Sequence, residues 1–149
     1  MTILFNSRSD GLPAAAMVVF IAVLLTARLV EAHGGNGAVQ LIGQTVAGHD
    51  VTVMTAPKRP RVGALHVAVQ LIDPRELTYI DTATVAVTAR YLGDETMRVR
   101  SLRSRYREPW HELDLNLQRS GRWRVQLYID GPNGEGETSF MISISPDPG

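Results

Sequence analysis

A chain of 149 residues carries 15 Lys and Arg against 15 Asp and Glu, so no net charge draws it toward nucleic acid or an anionic membrane, and such a partner would need a local patch. An apolar content of 44% is that of a globular protein able to bury one core. The absence of cysteine excludes disulfides, thiolate metal sites and cysteine nucleophiles. Export stays open, because a domain of this size stands without disulfide staples.

The first element in chain order is an uncharged apolar run, AAAMVVFIAVLLTA at 14–27, preceded by Arg8 and followed by Val30-Glu31-Ala32, small or apolar residues where signal peptidase reads. The run is shorter than the ~20 residues a spanning helix needs, and Arg28 closes it. The expected division is a signal peptide over 1–32 and a mature chain over 33–149 that begins His33-Gly34-Gly35. The other reading keeps the segment as an uncleaved N-terminal membrane anchor. Both place the remainder outside the cytoplasm, periplasmic or extracellular, with membrane contact only through this segment.

From Ala38 onward the chain alternates apolar and polar residues in short stretches broken by turn residues, and no apolar positions recur at helical spacing. The predicted strands in order are 38–46, 49–54, Leu65 to Leu71, Val85 to Ala89, 97–102, Leu113 to Leu117, Trp123 to Ile129 and 138–145. Each of the clearer ones turns one apolar edge inward. Between them lie Ala47-Gly48, the proline-rich 57–60, Asp73-Pro74, Gly93-Asp94, Ser120-Gly121 and a turn from Gly131 to Gly136. Pro57 and Pro60 suit a sheet edge or a crossing between sheets, since proline cannot donate to a ladder. Seven or eight strands in a domain of this length predict an all-β, immunoglobulin-like two-sheet sandwich.

Two stretches, AGHDVTVMTAPKRPRVGALHVAVQLID and SGRWRVQLYIDGPNGEGETSFMISI, together with AHGG near the start, resemble the exported YtkA-like or FixH-like β-sandwich domains. In those a proline-rich bend precedes a strand that carries a histidine, and a Gly-x-Trp hairpin closes the domain. The resemblance implies an Ig-like fold and an association with copper handling and respiratory oxidase assembly, with a membrane copper acceptor or another envelope protein as partner. It also implies a histidine on the strand that holds His66.

Against that background the histidines are the candidates for chemistry. If His33 is the first mature residue, its free amine and ring form a bidentate chelate, and one further imidazole completes the nitrogen set Cu(II) prefers. His66, on the polar side of its strand, is the expected partner, and Met54 beside the Pro57 bend offers a thioether for Cu(I). His49 stands at a strand start, and His111 shares parity with Leu113 and Leu115, which predicts a buried, hydrogen-bonded ring. The bland alternative is that His33 belongs to a tail and His66 is a solvated strand residue.

The stretch RVRSLRSRYRE places Arg98, Arg100, Arg103, Arg105 and Arg107 around Tyr106. It reads as a solvated strand and loop whose charge blunts a sheet edge, or as a face for an acidic protein; nucleic acid is not an expected partner of an exported chain. No Gly-x-Ser-x-Gly elbow or phosphate-cradling loop is present, and Glu108 and Glu112 read as solvated residues, so no enzyme is expected. The sequence points to a non-catalytic binding or accessory protein of the envelope, copper handling being its sharpest form and metal-free protein recognition its rival.

Overall fold

The computed structural model describes residues 35–149, of which Asn36–Gly149 form one compact unit. The segment 1–32, expected to be a signal peptide, and His33 lie outside the described residues. Nine strands follow in order: β1 (Ala38–Val46), β2 (His49–Ala56), β3 (Gly63–Ile72), β4 (Thr84–Tyr91), β5 (Arg98–Ser101), β6 (Arg105–Arg107), β7 (Trp110–Leu117), β8 (Gly121–Gly131) and β9 (Gly134–Ile144). Among the described residues no helix is long and apolar enough to cross a membrane.

The strands form two antiparallel sheets, β1-β2-β3-β7-β6 and β5-β4-β8-β9. Setting β1 aside, β2-β3-β7-β6 against β5-β4-β8-β9 is the ABED and C′CFG order of the immunoglobulin sandwich. β1 is an addition to that plan, a hairpin partner of β2 joined through Ala47-Gly48, both at positive φ (51° and 74°), the twist a two-residue hairpin loop requires. Its pairing slips between Val39 and Gln44, around Gly43 at φ 59°, so the outer edge of the five-stranded sheet is bulged rather than flat.

Period-2 patterning builds the core. Val51 and Val53, Leu65 to Leu71, Val85 to Ala89, Leu113 to Leu117, Trp123 to Ile129 and Phe140 to Ile144 send alternate side chains into the single layer between the sheets. Trp123 is fully buried, donates from Nε1 to the Arg119 carbonyl at 2.9 Å and packs 5.3 Å from the Tyr91 ring. A tight approach at Gly121 makes room for that ring pair, since a Cβ there would stand 2.9 Å from Tyr91.

All eight predicted strands are present, and the ninth, β6, lies inside the arginine run. Its three residues pair with Trp110 to Glu112, too short a segment to show alternation. The turn expected over Gly131 to Gly136 is tighter: Gly131 faces Gly134, leaving Pro132-Asn133 as the loop while Glu135 and Gly136 join β9. The proline-rich segment straps the sheets together, with the Val62 N–H donating to the Ser145 carbonyl and the Ser145 N–H to that of Pro60, both at 3.0 Å.

Candidate functional site

Alternation carries a set of non-core side chains to the outer face of the five-stranded sheet. On β3, His66 stands opposite Ala56 of β2 and Asp114 of β7; Ala68 stands opposite Met54 and Glu112. Met54 is therefore a diagonal neighbour of His66 on the same face, within reach of a shared contact for long side chains.

The His66 ring is held. Its Nδ1 lies 2.9 Å from Asp114 Oδ1, and the other carboxylate oxygen is 3.5 Å from the Arg105 guanidinium. A carboxylate can only accept, so Nδ1 carries the hydrogen and donates it, and among the described residues Nε2 has no hydrogen-bond partner. A histidine tied at one nitrogen by a carboxylate is the usual orienting arrangement behind a metal-binding imidazole. His66 keeps 29% of its side chain exposed.

Met54 is only 5% exposed and clusters with Ala68 and Trp110 rather than standing free beside a bend. Its methyl lies under the start of β1, where a Cβ on Gly37 would meet Met54 Cε at 3.3 Å. The described residues thus bring His66 and Met54 to one face, while His33 lies outside them. Among those residues no group of three or more His, Asp or Glu could hold a metal ion.

The other histidines belong to the interior. His111 is 1% exposed and its Nε2 donates to the Ile80 carbonyl at 2.7 Å, as its parity predicts. His49 is fully buried, and its Nε2 accepts from the Asn133 N–H at 3.4 Å. Neither offers a ring nitrogen to solvent. Glu112 lies beside Ala68 with Arg107 4.0 Å away, whereas Glu108 lines a cleft with Tyr79, Asp81 and Tyr106. In that cleft burial, followed by the charges of Glu108 and Asp81, pushes the Tyr106 hydroxyl above its ordinary value.

Sequence reasoning missed Asp114 and Trp110. Asp114 has the parity of an outer-face residue, but its role depends on β3 pairing with β7, a contact across 48 positions that alternation does not reveal. Trp110 stood before the predicted strand of Leu113 to Leu117 and reads as a loop aromatic, whereas it is the first residue of β7.

No protein-family model matches the chain, the YtkA-like and FixH-like domains included, and no curated protein matches it. Solved structures do match it. FetP of uropathogenic Escherichia coli strain F11, crystallised as isolated after recombinant expression in the periplasm, superposes with a TM-score of 0.53 at 10% identity, covering 75% of this chain and 98% of FetP. A DUF4426 family protein of Pseudomonas aeruginosa PAO1 gives 0.53 at 14% identity, covering 76% of this chain and 98% of that protein. At such identities these neighbours establish a shared all-β sandwich fold, and that is what this chain has in common with them.

Proposed function

We propose that this protein is an exported, non-catalytic accessory protein of the cell envelope that captures copper and passes it to a membrane acceptor. The observation that carries the reading is the tethered ring of His66, with Asp114 on Nδ1 and Nε2 unpaired among the described residues, on the same outer face as the Met54 thioether. An imidazole and a thioether suit Cu(I); the amine and ring of a mature N-terminal His33 would supply the nitrogen ligands for Cu(II). The periplasmic expression of FetP, a neighbour in fold, supports the compartment.

The test is copper titration of protein beginning at His33, beside a form carrying one extra alanine before it and the His66→Ala and Met54→Leu variants. The extension should weaken Cu(II) binding sharply, His66→Ala should weaken both oxidation states at least tenfold, and Met54→Leu should act on Cu(I) alone. Asp114→Asn should cost about 10–100-fold by releasing the ring. Equal affinities across the set would end the copper reading.

A second reading, metal-free recognition of another envelope protein, is favoured by the arginines that line the edge strands β5 and β6. Partner capture that survives a chelator and fails after Arg103→Glu with Arg105→Glu would select it.

A further inference from the structure

Both sheets end in arginine-bearing strands on the same flank, β5 on one sheet and β6 on the other. β6 covers β7 only at Trp110 to Glu112, so from Asp114 to Leu117 β7 is paired with β3 on one side and with no strand on the other. Between β5 and this uncovered part of β7 runs a cleft of about 480 Å³, lined by Met97 and Val99, by Arg98 and Arg100, and by the amides of Asn116 and Gln118.

Three properties of this flank bear on what it receives. β5 ends its sheet, so the backbone groups on its outer side have no ladder partner. Arg98 and Arg100 face no carboxylate within ion-pair distance among the described residues; the one hydrogen bond from either side chain is a long one, 3.5 Å, from Arg98 Nε to the Glu95 carbonyl. Val99 is half-buried and packs toward the core between those two exposed arginines, so cationic and apolar side chains alternate along the strand.

We propose that this flank binds an extended polypeptide segment in which carboxylate and apolar residues alternate, added as a strand to the free edge of β5. This gives the second reading above a specific edge and a specific partner chemistry, and is independent of copper. The period of a strand sets the sequence: side chains directly opposite on one face lie about 5 Å apart, so carboxylates at every second position meet Arg98 and Arg100 while the intervening apolar residues turn toward Val99 and Met97. Backbone pairing supplies the general affinity, and the arginines select. The same charges disfavour a second copy of this chain, because β5 against β5 sets arginine beside arginine. A simple anion would answer the guanidinium groups but leave the apolar lining and the strand edge uncovered.

The test uses the ¹⁵N-labelled protein with the acetylated, amidated hexapeptide Glu-Val-Glu-Val-Glu-Val, and the lysine-for-glutamate peptide as control. The acidic peptide should shift the amide signals of Arg98 to Ser101, weaken at least tenfold in Arg98→Glu with Arg100→Glu, weaken again between 50 and 300 mM salt by screening, and be unaffected by a chelator. Both arginines are exposed, so the variant should keep its fold, and an unchanged remainder of the spectrum checks this. The proposal is overturned if β5 signals do not move, if the lysine peptide acts equally, or if the double variant binds as well. Shifts centred on Arg105 to Arg107 would overturn it while leaving the broader recognition reading standing.

Discussion

His66 and His111 lie on one pair of adjacent strands, yet their surroundings give them opposite chemistry. His66 projects outward and is oriented by a carboxylate; His111 projects inward, with Ile80's carbonyl on one nitrogen, the Ser104 hydroxyl 3.4 Å from the other, and the Tyr106 ring 4.9 Å away. Burial lowers the His111 pKa below its ordinary value, against the smaller opposing pulls of the Ile80 carbonyl and Asp81. The folded state therefore favours the neutral ring, while the unfolded chain protonates it near pH 6.5. This contribution to stability is fully present above that pH and is lost as pH falls through it toward the lowered value. Urea midpoints measured at pH 7.5 and pH 5 should show a decline in the wild type that shrinks in His111→Gln, which keeps a donor for Ile80. An undiminished decline in the variant would place the effect elsewhere. The burial of His111 was legible from its parity with Leu113 and Leu115; its partner was not, because Ile80 lies in a loop 31 positions away.

Among the elements, the β8–β9 hairpin does more than reverse the chain. Its Asn133 amide donates to the Gly48 carbonyl and to Asp73 Oδ2, both at 3.1 Å, and its backbone N–H meets His49, so one residue ties three turns at one end of the sandwich. Asp73 answers by holding the next turn: the Arg75 and Glu76 N–H groups point at its Oδ1, and those bonds, with the one from Asn133, keep its carboxyl below the usual range. Gly131 is the residue that permits this junction, since a Cβ there would fall 2.7 Å from His49 Nε2. Gly131→Ala should displace the His49 ring, release Asn133 and cost about 1–3 kcal/mol; thermal unfolding of the variant beside Asn133→Ala checks it, and an unchanged melting temperature would show that the ring yields without loss. The glycines and the proline of this turn were visible as punctuation, but not its length or its grip, which depend on neighbours some 60 to 85 positions away. Likewise β6, three residues among arginines, is a strand only because β7 lies beside it.

At the scale of the whole molecule, Asn36–Gly149 hold the complete double layer and its core, so the fragment 36–149 is expected to fold alone, with a β-type circular dichroism spectrum and a single cooperative unfolding transition. A fragment without such a transition would mean that the preceding segment is needed for folding. Two-sheet architecture was legible because β4, β7 and β8 repeat an alternating pattern; strand order was not, since pairing joins segments far apart, and the proposed ligand His33 lies outside the described residues. The two flanks of the sandwich also differ. On one, β1 and β9 are stitched by the Thr138 hydroxyl donating to Gln44 Oε1 at 2.9 Å, and the Pro60 to Val62 strap fastens the end of β9. On the other, two short edge strands leave a gap beside β7. The layers are thus seamed along one margin and unbuttoned along the other, and a threading chain finds its lateral berth in the cleft beside β5 and β7.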